Sequence, residues 1–266
     1  MSSSRARLVI VGGGNMGAAL VGGLVAGGWN GSDIVVVELD PAKRAELGKV
    51  HGVRTADTIV AADGAIVAVK PGDVASVTAQ LAAHGVPRIL SIAAGITLPV
   101  LQAAAGESTA VVRAMPNTPA LVREGVTAIS AGSTCTAADM DWAESILCAV
   151  GVVVRVPEEQ MDAVTAVAGS GPGYVFLFAE SLLAAALEQG LPADVADTLV
   201  RQLFRGAGVL LAGSPESPAV LRERVTSPNG TTAAGLAQFE KAGLRETVNK
   251  AVRAAADRSR EMGQPK

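Results

Sequence analysis

The run Leu8-Val9-Ile10-Val11-Gly12-Gly13-Gly14-Asn15-Met16-Gly17 decides the fold. Four apolar residues form a short buried strand, the glycines form a G-x-G-x-x-G turn, and Ala18 to Val25 continue as a helix. Gly12 permits the tight turn, Gly14 lets the backbone approach a pyrophosphate, and Gly17 lets the helix pack closely on the sheet. The positive helix N-terminus favours the anion. The chain has 30 glycines, so the turn gains its weight from context: a strand before it, a helix after it and an acid at the expected distance. That acid is Glu38, which ends the next apolar run 21 positions after Gly17. A carboxylate there accepts the ribose hydroxyls of NADH and repels the 2′-phosphate of NADPH. Lys43 and Arg44 follow and read either as partners for that phosphate or as exposed positions on a surface helix.

Working outward, Ile34 to Val37, Ile66 to Val69 and Ile89 to Ile92 repeat the short β-branched pattern, with Ala- and Leu-rich stretches between them. The alternation predicts βαβ units with a parallel sheet buried on both faces. Val126 to Ile129 and Val152 to Val156 read as two further strands flanking a helix near Ala137 to Ala149, and they close the sheet. After Pro157 the strand signal stops. Helical segments follow near Pro172 to Gln189, Pro192 to Leu211, Pro218 to Val225, Thr231 to Lys241 and Arg245 to Met262. The expected fold is α/β: a Rossmann-type N-terminal domain over 1–157 with a mostly parallel, doubly wound sheet, then an all-α domain over 158–266. Several of its helices are apolar around much of their circumference, so a partner chain is expected to cover them.

Composition narrows the function classes. Lys plus Arg number 22 and Asp plus Glu 25, so no overall basic field exists to hold DNA or RNA, and aromatics at 3% leave few stacking platforms. The apolar run Leu8 to Val11 is too short for a signal peptide. Tyr174 to Leu187 contains Glu180 and falls short of the ~18 apolar residues of a membrane span. A cytoplasmic location without membrane contact is expected. Cys135 and Cys148 form neither a disulfide framework nor a zinc site and read as buried or incidental thiols; no metal is expected.

Six motifs stand in order along the chain: Gly12 to Gly17; Ala68-Val69-Lys70-Pro71; Ala93-Ala94-Gly95-Ile96; Arg113-Ala114-Met115-Pro116-Asn117-Thr118-Pro119; Asp162 to Thr165 leading to Gly169-Ser170-Gly171-Pro172; and Val225 to Thr232. On these the chain resembles the pyrroline-5-carboxylate reductases over nearly its whole length. The resemblance implies a Rossmann domain, a helical domain for dimerisation and substrate binding, and NADH- or NADPH-dependent reduction of 1-pyrroline-5-carboxylate, a small cyclic imine carboxylate, to L-proline. It further implies a homodimer, with larger rings of dimers open. Cofactor contacts are expected from Gly12, Gly14, Asn15, Met16, Gly17, Glu38, Val69, Lys70, Pro71, Ala94, Gly95 and Asn117. Lys70-Pro71 and Ala94-Gly95 lie just past predicted strand ends, where the nicotinamide half would rest; Asn117 offers it a carboxamide.

Substrate contacts are expected from Ser170, Ser227, Asn229, Gly230, Thr231 and Thr232. Asn229-Gly230 tolerates left-handed backbone, so consecutive N–H groups can converge on a carboxylate, and Thr231-Thr232 begins a helix with its positive end at the same point. Ser227 adds a hydroxyl donor, and Thr232, by resemblance, sits against the ring nitrogen as the catalytic residue. From residue types alone, this stretch reads equally as a helix cap after a Pro-Asn-Gly turn. His51 and His84 fall in predicted loops and are given no role. Ala168, Gly173 and Asn229 depart from the family's usual serine, alanine and glycine. Those departures leave open a paralogue acting on a piperideine carboxylate or a substituted pyrroline. A dinucleotide-binding regulatory module without turnover is the reading from a different class.

Overall fold

The structure is a computed structural model and describes residues 5–264. Eight strands form one sheet in the order β3-β2-β1-β4-β5-β6-β7-β8. β1 (Leu8–Val11), β2 (Ile34–Val37), β4 (Ala65–Val67) and β5 (Arg88–Ser91) are the β-branched runs, buried along their length apart from the partly covered Arg88. With β3 (Arg54–Ala56) and β6 (Ala110–Met115) they pair in parallel. β7 (Gly125–Ala131) runs antiparallel to β6, and β8 (Gly151–Arg155) lies parallel to β7 at the sheet edge.

Helices α1 (Asn15–Ala26), α2 (Pro41–His51), α3 (Val74–Ala83), α4 (Leu98–Ala105) and α5 (Ala137–Leu147) connect the strands. Two buried clusters show that both sheet faces are covered. One gathers Ile10, Leu24, Ile66 and Ile146; the other gathers Val9, Val67, Leu81 and Leu101. Alternate residues of the same strands supply the two, as the period of two along a strand requires.

Two strands escaped the sequence reading. β3 is three residues long, exposed at Arg54 and Thr55, and lacks an apolar run. β6 carries Arg113 in its middle, which breaks the apolar signal although the strand is almost wholly buried. Its arginine is tolerated because Glu158 pairs with it at 2.5 Å.

Beyond β8, α6 (Met161–Val164) passes into a π-helical turn over Thr165–Gly169, where the Ser170 N–H donates to the Thr165 carbonyl at 2.8 Å. The helical run thereby continues through Gly171 and Pro172 into α7 (Gly171–Glu188). The resulting stretch Glu158–Glu188, 31 residues with a mean hydropathy of 1.3 in its most apolar window, is long and apolar enough by length and composition to cross a membrane. The expected apolar stretch was shorter because Pro172 and its flanking glycines read as a helix start, whereas the apolar helical stretch already begins at Glu158.

The remaining helices are α8 (Ala193–Gly213), α9 (Pro218–Arg224), α10 (Thr231–Lys241) and α11 (Leu244–Met262). The chain forms two compact units. One runs up to Ser170 and regains the chain from Ala255 onward; the other is Gly171–Ala254. Residues 158–170 pack with the sheet because Met161 and Ala166 are fully buried there, and the end of α11 joins them where Ser259 bonds Asp162. Within the second unit α7 has no buried residue, and Phe176, Leu177, Leu199, Leu203 and Leu210 are exposed.

Candidate active site

The carboxyl edge of the parallel strands gathers the residues expected at the dinucleotide. Gly12 has φ +109°, and a methyl group there would come within 2.5 Å of the Ala68 carbonyl oxygen, so this turn admits only glycine. A Cβ on Gly17 would collide with the Gly12 carbonyl, which is the close helix-to-turn contact expected of the third glycine. Gly14 differs from both. Nothing lies within 4 Å of the place its side chain would take, and it caps α1 without a side-chain bond, so no side chain closes off the first turn of the helix there.

Glu38 is anchored rather than loose. Its Oε2 accepts from the Gly13 N–H at 2.9 Å and its Oε1 from the Asp40 N–H at 3.0 Å. Partial burial pushes its carboxyl pKa up, but those two amides, the charge of Lys43 and the Leu39 amide outweigh burial and hold it below the ordinary value. Arg44 is not free for a phosphate: its Nη1 donates to the Glu38 and Leu39 carbonyls at 2.6 and 3.0 Å, and its Nη2 lies 3.9 Å from Asp57. Lys43 is exposed. Lys43 and His51 line a cavity of about 280 Å³ with Gly13, Gly14, Asn15 and Leu47, so the histidine passed over in the sequence stands beside the glycine turn.

Val69, Lys70 and Pro71 follow β4, with Lys70 exposed; Ala94 and Gly95 follow β5, with Gly95 at φ +75°. Asn117, expected at the nicotinamide, follows β6. It is buried, its Oδ1 accepts from the Val126 N–H at 3.0 Å and its Nδ2 donates to the Ala168 carbonyl at 3.2 Å. Its carboxamide ties β7 to the π turn, and these bonds speak for a structural role. Ser170 ends that turn and is half-buried.

In the helical unit, Asn229 sits at φ +61°, the left-handed conformation that glycine would take more cheaply. The chain then enters α10 through Gly230, whose Cα lies against the Ser227 hydroxyl and leaves no room for a side chain. Gly230 caps the helix without a side-chain bond, and Ser227, Asn229, Thr231 and Thr232 are exposed. The first turn of α10 thus has no side-chain cap and stands beside the hydroxyls of Ser227, Thr231 and Thr232, an arrangement suited to a carboxylate.

The thiols are unlike one another. Cys135 is half-buried, its Sγ donating to the Val111 carbonyl at 3.0 Å, whereas Cys148 is exposed. Burial, with Asp139 beside the first and Glu144 beside the second, raises both pKa values, so neither is poised as a nucleophile.

A glycine turn with an acid at the end of the second strand, in a doubly wound sheet followed by a bundle of apolar helices, defines a nicotinamide-dinucleotide oxidoreductase. Residues 158–262 match the family model described as "Pyrroline-5-carboxylate reductase dimerisation", and residues 7–95 match "NADP oxidoreductase coenzyme F420-dependent". The chain is 39% identical over 289 aligned positions to pyrroline-5-carboxylate reductase of Mycobacterium leprae, covering 98% of each chain. The solved pyrroline-5-carboxylate reductase of Coxiella burnetii superposes with a TM-score of 0.93 at 35% identity, over 98% of this chain and 100% of that one. The pyrroline carboxylate reductase of Plasmodium falciparum, solved with NADP bound, gives 0.85 at 29%, over 97% and 98%. The chain belongs to the pyrroline-5-carboxylate reductase family.

Proposed function

We propose that the chain reduces 1-pyrroline-5-carboxylate to L-proline with NADH or NADPH. The observation that carries this is the full-length likeness to reductases of that name; the glycine turn with Glu38 and, in the helical unit, the Ser227 to Thr232 loop each support the reading. The open backbone at Gly14, the uncapped first turn of α1 and the anchored Glu38 carboxylate fit a dinucleotide. When bound, that cofactor supplies a hydride to the imine carbon.

The side chains hold and orient. The amides of α10 and the Ser227 hydroxyl donate to the substrate carboxylate, and the Thr232 hydroxyl bonds the ring nitrogen, which ends the reaction with one more proton. Ala94, Gly95, Val69, Lys70 and Pro71 line the nicotinamide end. The anchored Glu38, with Arg44 engaged by backbone carbonyls, favours NADH at least as strongly as NADPH. The expected boundary at 157 moves to Ser170: the unit that holds the sheet, with the end of α11, serves the dinucleotide, and Gly171–Ala254 serves dimerisation and substrate.

A homodimer covers the exposed apolar faces of α7 and α8, where Leu182, Leu191, Leu199 and Leu203 line a groove of about 330 Å³. Rings built from such dimers and a cytoplasmic location belong to the same reading. The test is oxidation of NADH and of NADPH with pyrroline-5-carboxylate and, separately, a piperideine carboxylate. Turnover at least tenfold faster with the five-membered imine is expected, and none with either imine would overturn the proposal.

A further inference from the structure

In the loop 94–97 between β5 and α4, Ile96 packs against the buried cluster of Ala93, Leu98 and Leu101, whereas Gly95 beside it has no side chain and φ +75°. A methyl group on Gly95 would lie 3.5 Å from both Cβ and Cε of Met262, so the last turn of α11 forms a wall of the loop. A side chain on Gly263 would begin 3.1 Å from the Thr97 Cγ2, extending that wall. At the far end of the loop Thr97 gives α4 no side-chain cap. The Leu98 N–H donates instead to Glu158 Oε1 at 3.0 Å, the oxygen that also receives Arg113 Nη1. The end of α11 is itself pinned: the buried Ser259 hydroxyl donates to Asp162 Oδ1 at 2.6 Å, across 97 positions of sequence.

We propose that the end of α11, Ser259 to Gly263, is a positioning element for the cofactor loop, latched by the Ser259–Asp162 hydrogen bond. Ile96 and the Leu98 amide fix the far side of the loop, but a glycine with a left-handed backbone has no side chain to restrain it, so at Gly95 the packing of α11 adds the restraint. The tail therefore sets how far the backbone at Ala94–Gly95 stands toward the nicotinamide, and a misplacement of about 1 Å there costs up to ~100-fold in hydride transfer. Ser259, Asp162 and Met262 act through the loop and touch neither reactant. The inference rests on the placement of the nicotinamide at Ala94–Gly95.

The experiment compares Asp162→Ala, Ser259→Ala and Met262→Ala with Asp162→Asn, which keeps an acceptor at the same place. Each full-length enzyme is assayed for kcat and for the KM of NADH and of the imine, with thermal unfolding and hydrogen exchange of the amides in 94–97 alongside. The three alanine variants should lower kcat and raise the NADH KM, each by about fivefold, and speed exchange in the loop, with the imine KM within about twofold and Asp162→Asn near wild type. Unchanged exchange and NADH KM in all three, or losses that merely track the melting temperature, would overturn the latch. Gly95→Ala serves as the separate check on the cofactor placement. If it leaves the NADH KM untouched, that placement is wrong, while loop exchange in the tail variants still judges the latch by itself.

Discussion

Replacing Glu38 tests the cofactor site most sharply, because the carboxylate is fixed by two backbone amides at 2.9 and 3.0 Å. A ribose hydroxyl bonded to it would give way, in NADPH, to a phosphate whose charge centre lies roughly 4 Å from the carboxylate. At that range each pair of unit charges costs ~1 kcal/mol in water and ~4 at the dielectric of a protein surface, and the half-exposed carboxylate lies toward the wetter end. About 2 kcal/mol of repulsion follows, or about 30-fold in kcat/KM.

Glu38→Gln removes the charge and keeps the shape, so it should shift the NADPH-to-NADH ratio by about that factor. Glu38→Ser also removes the acceptor for the ribose hydroxyls, adding about 1 kcal/mol to the swing. Arg44 stays committed to the carbonyls of Glu38 and Leu39 in both variants, so Lys43 is the cation left to meet the phosphate. Lys43→Ala in the Glu38→Gln background should lower NADPH use a few-fold, as befits an exposed charge. The assay is initial-rate kinetics with each cofactor at a saturating imine concentration. A shift below about threefold in Glu38→Gln, or a wild-type enzyme preferring NADPH by about a hundredfold, roughly 2.7 kcal/mol, would refute the reasoning.

Thr232→Ala should lower turnover by about 1.5 to 3 kcal/mol of transition-state stabilisation, while Ser227→Ala should chiefly raise the imine KM, because the carboxylate stays charged throughout. Full turnover in Thr232→Ala would move the substrate site elsewhere. Asn117→Ala leaves the Val126 amide without its acceptor and should cost about 1 to 3 kcal/mol in chemical denaturation; a neutral effect would return the carboxamide to a purely cofactor-facing role. Glu38 binds its proton less readily when folded, so its contribution to stability is complete above about pH 4.3 and is lost as the pH falls through the lowered folded value. Denaturation midpoints of Glu38→Gln should accordingly lose part of the wild-type acid slope, and parallel slopes would contradict the anchoring. Sedimentation at micromolar concentration should show a dimer, and a stable, active monomer would leave the exposed apolar faces of α7 and α8 unexplained.

Much of this architecture is written in local pattern. The strand, turn and helix from Leu8 onward need only β-branched residues and glycines at fixed offsets, and α10 begins and ends where its residues place it, at Thr231 and Lys241. Asn229 and Gly230 announce their turn through backbone freedom that belongs to the residue type. The antiparallel pairing of β7 with β6 is another matter, since strand direction depends on which neighbour is met in space. β6 shows the same limit: Arg113 disguises a buried strand until Glu158, 45 positions away, arrives to neutralise it. That Asn117 ties β7 to the π turn is likewise invisible in its type, because a buried amide takes whatever partners the fold sets beside it. Ser259 carries no local signal at all, for its partner Asp162 and the loop that the tail covers are neighbours only after folding. Sequence by itself determined all the strands but β3 and β6, the main helices and the class of chemistry; tertiary structure decided strand direction, the partners of buried polar groups and the bracing of Gly95, which are relations between distant segments that a residue's own type does not contain.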